Sequence, residues 1–278
     1  MGSEITRQGR FDLQLSATGD RLEAAWIGPS PDDAPTMVFL HEGLGCMALW
    51  REFPARLAGI TGWGALIYSR LGYGGSAPCP LPRGVDFMHH EGLVVLPEVI
   101  RQSGVREYLL VGHSDGGSIA LIHAGGGPCP GLKGVVTLAA HVYCEDLTRR
   151  SIQAARQRYL TGDLKVRLSP YHGKNTHCAF WGWNDVWLHP DFRQWRIDAF
   201  LPAIDVPVLA IQGETDPYGS LGQLDVIRAK TGDGVAVEVI ADCGHAPHLE
   251  KYDTVLAAIL AFMKHRINPT DWQCTGVV

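Results

Sequence analysis

Residues 11–17 and 21–27 alternate apolar and polar positions, the period-two pattern of strands with one face on a core. They predict an antiparallel pair at the edge of a sheet. The pattern then changes character. Met37, Val38, Phe39 and Leu40 form an unbroken apolar run, residues 63–68 read as another buried strand and 109–111 as an apolar strand-like run, and further strands are predicted at 134–140, 206–212 and 235–240. Strands of that kind are covered on both faces. Between them, residues 49–60, 86–103, 118–122, 221–230 and 249–265 read as helices, with Pro97 expected to kink the second. Alternating strands and helices predict an α/β fold, a mostly parallel sheet with helices on both faces. Ligands of such sheets bind beyond the carboxyl ends of the strands.

The rhythm breaks between 145 and 205. A helix is predicted at 151–160, and residues 169–195 are dense in rings: Tyr171, Phe180, Trp181, Trp183, Trp187, Phe192 and Trp195. No buried-strand run interrupts this segment. It is expected to be a helical cap (145–205) over a core made of 1–144 and 206–278. Most of the rings then pack the insertion onto the body. One or two are expected to line an apolar acyl pocket, with Trp181, Trp183 and Trp187 as candidates.

With 278 residues the chain can bury one large core with an insertion. A net charge of −5 without long like-charge runs argues against nucleic acid or an anionic membrane surface as partner. No apolar run is long enough to span a bilayer, and residues 1–10 are polar rather than signal-like. Residues 1–6 match the short myristoylation pattern, which many soluble proteins match by chance. Seven scattered cysteines without a Cys-x-x-Cys pair fit a reduced, cytoplasmic setting better than a disulfide scaffold. His89-His90-Glu91 lacks metal-ligand spacing, so neither a metal nor another cofactor is expected.

The chemistry concentrates at residues 109–122. The apolar run Leu109-Leu110-Val111 ends in Gly112-His113-Ser114-Asp115-Gly116-Gly117, and a helix-compatible run follows at once. Gly-x-Ser-x-Gly between a strand and a helix is the setting of a nucleophile elbow. A serine on so sharp a turn sits in a strained backbone, and Gly112 and Gly116 must lack a Cβ where the turn closes on itself. The turn exposes the Ser114 hydroxyl above the sheet. It also leaves the Asp115 N–H at a helix N-terminus, facing a reacting carbonyl.

Four further motifs follow strands: His-x-Gly-x-Gly at 41–45, Ser-Arg-x-Gly-Tyr-Gly-x-Ser at 69–76, Gly-x-x-Asp at 213–216 and Gly-His at 244–245. In combination they resemble the α/β-hydrolase superfamily over nearly the whole chain. The resemblance implies Ser114 as nucleophile, Asp216 as orienting acid and His245 as base, in the chain order of that fold. Chemistry points the same way. Serine needs an imidazole to take its proton, and the imidazole needs a carboxylate to hold its tautomer. His89, His90, His113 and His248 compete as bases, and Asp115, Glu214 and Asp242 as acids. His248 is expected in the first turn of the last helix as a surface or capping residue. Asp115 sits on the elbow itself, too close in sequence to reach round the imidazole.

The resemblance also implies an oxyanion hole from the backbone N–H groups of Gly43 and Asp115. Relatives carry His-Gly-Gly-Pro-Gly in this loop, whereas here Glu42 replaces a glycine. Its carboxylate is expected to pair with Arg70 or His41, or to turn outward and brace the loop, and both His41 and Glu42 border the expected substrate site. Ser-Asp-Gly-Gly resembles valacyclovirase-like hydrolases, in which the aspartate helps recognise a substrate amino group. The alternative is that Asp115 accepts hydrogen bonds from the 41–45 loop. The expected activity is hydrolysis of a small carboxylic ester through an acyl-enzyme. Carbon–carbon, amide and thioester hydrolysis are alternatives with the same triad, and a non-catalytic binding role is a remote one. Epoxide and haloalkane hydrolases of this superfamily use Asp where this chain has Ser114. The partner expected is a small acyl substrate, and the oligomeric state is left open, a homodimer being one option.

Overall fold

The computed structural model describes residues 9–267, so the 1–6 pattern and Cys274 lie outside the described residues. Strand β1 (Gly9–Gln14) pairs antiparallel with β2 (Arg21–Ile27), which pairs antiparallel with β4 (Gly64–Tyr68). The remaining strands, β3 (Thr36–Leu40), β5 (Tyr108–His113), β6 (Leu132–Leu138), β7 (Val208–Gly213) and β8 (Val235–Ile240), join β4 through parallel pairings only. The order across the eight-stranded sheet is β1-β2-β4-β3-β5-β6-β7-β8. Both the expected fold class and the antiparallel edge pair are therefore present.

Helices fill the crossovers: α1 (Phe53–Thr61), α2 (Phe87–His90), α3 (Leu96–Ser103), α4 (Asp115–Gly125), α5 (Asp146–Thr161), α6 (Leu164–His172), α7 (Thr176–Leu188), α8 (Gly222–Thr231), α9 (Pro247–Glu250) and α10 (Tyr252–Phe262). The expected 86–103 helix is in three pieces. A π-helical turn at Glu91–Val95 joins α2 to α3 directly before Pro97, whose missing N–H removes a rung of the helical ladder. The first crossover helix starts at Phe53 rather than 49, because a 3₁₀ turn (Met47–Trp50) and Arg51 at φ 53° precede it.

The unbroken apolar runs have a simple cause. Successive strand side chains point to opposite faces, and in β3–β7 both faces are covered, whereas the edge strand β8 is partly exposed. Met37 and Phe39 join Leu57 of α1 and Ile259 of α10 on one side, while Val38 and Leu40 join Val99 of α3, Ile119 of α4 and Ile227 of α8 on the other. Burying each such side chain stabilises the fold by roughly 1.5–3 kcal/mol. Helices α5, α6 and α7 lie between β6 and β7, and their buried residues Ile152, Leu168, Phe180 and Trp187 are continuous with the second of these cores. Among the described residues no helix is long and apolar enough to cross a membrane.

Candidate active site

The loops that leave the carboxyl ends of β3, β5, β7 and β8 carry His41–Gly45, Ser114, Asp216 and His245 to one rim of the sheet. Ser114 has φ 52° and ψ −117°, a conformation that costs on the order of 1–3 kcal/mol for a non-glycine residue. The residues two positions to either side must be glycines. A Cβ on Gly112 would lie 2.3 Å from the Gly116 carbonyl oxygen, and one on Gly116 would lie 1.9 Å from that of Leu40. The turn is held by the Ser114 N–H, which donates to Leu138 O at 2.8 Å, and by the Ser118 N–H, which donates to Ser114 O at 3.0 Å.

Three side chains distant in sequence meet there. Ser114 Oγ is 2.9 Å from His245 Nε2, and His245 Nδ1 is 2.8 and 2.9 Å from the two oxygens of Asp216. Asp216 Oδ1 also accepts from the Tyr218 N–H at 2.8 Å, and its side chain is only 1% exposed. Burial alone would raise the Asp216 pKa, but the hydrogen bond and charge of His245, with the Tyr218 N–H, bring it below the ordinary value. The carboxylate is thus ionised and aimed at Nδ1, leaving Nε2 to accept the serine proton. Asp242, Glu214, His89 and His90 take no part in this arrangement.

His113 and His248 are neighbours of the triple rather than members of it. His113 Nε2 donates to the carbonyl oxygen of His245 at 2.7 Å, and its Nδ1 faces Glu42 Oε2 at 3.4 Å. Burial opposes charging of His113, yet Glu42 and the His245 carbonyl raise its pKa. The same contact lowers that of Glu42 against its own burial. Here the expectation for Glu42 is corrected. Arg70 Nη2 and His41 Nδ1 donate to its backbone carbonyl, at 3.0 and 2.8 Å, while the carboxylate turns to His113. His248 is corrected as well. It is 2% exposed and packs against Trp50, His113 and Phe53, at ring distances of 4.8, 4.9 and 5.7 Å.

A cavity of about 110 Å³ opens beside Ser114. Glu42, Gly43, Asp115, Trp183, Trp187 and His245 border it, and with Ser114, and Asp216 behind His245, these are the predicted residues that the fold gathers. His41 and Trp181 are not among its walls. His41 is buried beneath the loop, where its Nε2 accepts from the Arg70 N–H at 3.0 Å and its ring meets Tyr73. Trp181 points away from its helical neighbours Trp183 and Trp187, towards Arg156, Tyr159 and Phe180. Gly43 passes directly beneath Trp183. A Cβ there would stand 2.2 Å from the indole ring and 3.1 Å from Asp115 Oδ2. Asp115 opens α4, so its N–H has no acceptor within the helix.

The Asp115 carboxylate does not brace the 41–45 loop. Its Oδ1 accepts from Trp187 Nε1 at 3.2 Å, and Oδ2 has no partner. Burial raises its pKa despite Arg70 and His141. Sequence reading missed several walls: Leu44, His141, Thr148, Ile152 and Tyr218. Tyr218 lies two residues past Asp216, a proximity that could have flagged it. His141 carries no such signal; its Nε2 donates to Tyr218 O at 3.0 Å, and its Nδ1 is buried without a partner. Among the described residues no group of three or more His, Cys, Asp or Glu side chains is arranged to hold a metal ion.

Comparison with known proteins places these features. A model of the alpha/beta hydrolase family matches residues 37–258. Over 123 residues the chain is 28% identical to 2-succinyl-6-hydroxy-2,4-cyclohexadiene-1-carboxylate synthase of Serratia proteamaculans (strain 568). That match spans 44% of this chain and 45% of that enzyme, so it reaches less than half the relative's length. Among solved structures, VinJ aligns with a TM-score of 0.70 at 21% identity, covering 93% of this chain and 99% of VinJ. A proline iminopeptidase of Mycobacterium smegmatis aligns with a TM-score of 0.71 at 17% identity, covering 94% and 100%. At these identities the likeness to solved structures is one of fold.

Proposed function

The chain belongs to the alpha/beta hydrolase family, and from that premise we propose that it is a serine hydrolase acting on small carboxylic esters. The observation that carries this reading is the unbroken line from Asp216 through His245 to Ser114, with contacts of 2.8 and 2.9 Å. His245 takes the proton of Ser114 as Oγ attacks the ester carbonyl. The Gly43 and Asp115 N–H groups receive the oxyanion. Protonated His245 then gives its proton to the leaving alcohol, and on the return it deprotonates the water that releases the acid. Asp216 stays ionised throughout and holds the ring. A cavity of about 110 Å³ suits a short acyl chain.

A narrower reading of the substrate has its own support. Asp115 Oδ2 and His141 Nδ1 are both buried acceptors without partners, on residues that wall this cavity. Buried polar groups are normally satisfied, so an acyl group carrying an amino or hydroxyl donor beside its carbonyl fits better than a plain alkyl one. Helices α5–α7 act in this reading as a cap that sets the acyl selectivity.

Ser114→Ala tests the reaction. With short p-nitrophenyl esters, kcat/KM is expected to fall about 10⁴-fold or more while circular dichroism is unchanged; turnover within tenfold of the parent overturns the proposal. A panel of alkyl, amino-acid and hydroxy-acid esters, thioesters, lactones and vinylogous diketones then assigns the bond cleaved. A preference for thioesters or vinylogous diketones displaces the ester reading while keeping the triad, whereas a preference for lactones narrows it to cyclic esters.

A further inference from the structure

Outside the cavity, two cysteines separated by 99 positions are in direct contact. Cys79, in the segment joining β4 to α2, has its Sγ 2.6 Å from Sγ of Cys178 in the first turn of α7. The surroundings are built around these sulfurs. Arg83 Nη2 donates to Cys79 Sγ at 2.9 Å and to Leu71 O at 3.0 Å, and Arg83 Nη1 donates to Tyr73 Oη at 3.0 Å. The guanidinium also lies 5.0 Å from the centre of the Tyr73 ring, which fixes its orientation. The Cys79 N–H reaches Cys178 Sγ at 3.3 Å, and the Cys178 thiol faces Cys79 O at the same distance. Cys79 is half-buried and Cys178 buried.

We propose that Cys79 and Cys178 form a peroxide-oxidisable dithiol, with Cys79 as the attacking sulfur and Cys178 as the resolving one, tying the β4–α2 segment to helix α7. The thiolate is the reactive form of cysteine, and it is favoured beside a fixed cation in a partly exposed position. Cys79 meets both conditions, whereas Cys178 is buried and only Cys79 takes the hydrogen bond of Arg83. The protonation preferences agree: the Cys178 hydrogen bond and the Arg83 charge draw the Cys79 pKa down in spite of its burial, whereas the same contact and burial push that of Cys178 up.

The chemistry balances with hydrogen peroxide as oxidant. The Cys79 thiolate attacks one peroxide oxygen, the O–O bond breaks, and hydroxide leaves a sulfenic acid at Cys79. Cys178 then attacks that sulfur, an S–S bond forms and water departs. Two thiols lose two electrons, and one peroxide becomes two waters. The sulfurs need to close only from 2.6 Å to the about 2.05 Å of a disulfide. Helix α7 also bears Trp183 and Trp187, so the bond would anchor the wall of the cavity to the core.

The experiment reads mass rather than activity. The reduced full-length chain, freed of reductant, is treated with near-equimolar hydrogen peroxide, blocked with N-ethylmaleimide and digested with trypsin without reduction. Cleavage after Arg70, Arg83, Lys174 and Arg193 puts Cys79 and Cys178 in two peptides with one cysteine each. The expected result is a loss of two hydrogen atoms, two fewer blocked thiols and one disulfide-linked pair, 71–83 with 175–193, reversed by dithiothreitol. Cys178→Ser should stop at a dimedone-reactive sulfenic acid on Cys79, and Cys79→Ser should show neither product at that dose. If both thiols of the parent chain stay blockable with no linked pair, or Cys79→Ser oxidises as fast as the parent, the assignment is wrong.

Discussion

Acid should destabilise this protein through His248, by an amount the structure allows to be worked out. Its ring is 2% exposed among Trp50, Phe53 and His113. Burial, then the nearby charge of His113, lowers its pKa from 6.5 to about 3, with Glu42 opposing. The unfolded chain therefore binds a proton at His248 between about pH 6.5 and 3 while the folded chain does not, so stability falls as pH falls through that window. At pH 4.5 the unfolded imidazole is almost fully protonated and the folded one almost fully neutral. The resulting penalty is about 2.7 kcal/mol, against about 0.2 kcal/mol at pH 7, at 1.36 kcal/mol per pKa unit. His248→Leu keeps the apolar contacts and removes the titration. Urea unfolding followed by tryptophan fluorescence, at pH 7 and pH 4.5, gives the acid-induced loss for each protein. Titrating groups remote from His248 are common to both and subtract. The variant is expected to lose about 2.5 kcal/mol less than the parent between the two pH values; equal losses would refute the assignment of a buried neutral imidazole at this position.

Three more outcomes are expected. Asp216→Asn should lower kcat/KM on a short ester by about 10⁴-fold with the fold intact, because an amide there holds the wrong imidazole tautomer; initial rates at substrate concentrations well below KM read this directly. Gly43→Ala should cost about 10²-fold in kcat, the scale of one lost oxyanion donor, since the new methyl meets Trp183 at 2.2 Å; part of the loss should return in Gly43→Ala combined with Trp183→Ala, and no return would place the fault elsewhere. Ile152→Ala should enlarge the cavity beside Ser114 and shift the preferred p-nitrophenyl ester towards longer acyl chains, read as the ratio of kcat/KM for hexanoate over acetate.

What the chain discloses before folding, and what it withholds, follows from the range of the interactions involved. The parallel strands are legible because a sheet covered on both faces demands unbroken apolar runs, as at 37–40. The Ser114 turn is legible because backbone crowding at Gly112 and Gly116 admits no side chain. Glu42 was not, because its partner His113 arrives from β5, which pairs directly with β3. His248 resembles a solvent-facing residue of a helix start, yet α9 is a short turn that presses it onto Trp50. Trp183 and Trp187 are four apart and share a helical face, while Trp181 lies two positions before Trp183 and points elsewhere. That periodicity was present in the sequence, but which face would meet the sheet was not. The Cys79–Cys178 contact joins residues 99 apart, a separation no local pattern encodes.

The most direct test of the account is covalent capture of the nucleophile. Incubation of the native chain with a fluorophosphonate, followed by intact-mass and peptide analysis, should give one adduct per chain on Ser114, and His245→Ala should label far more slowly. A folded parent chain that takes up no probe, or takes it up at a residue other than Ser114, would contradict the proposed mechanism.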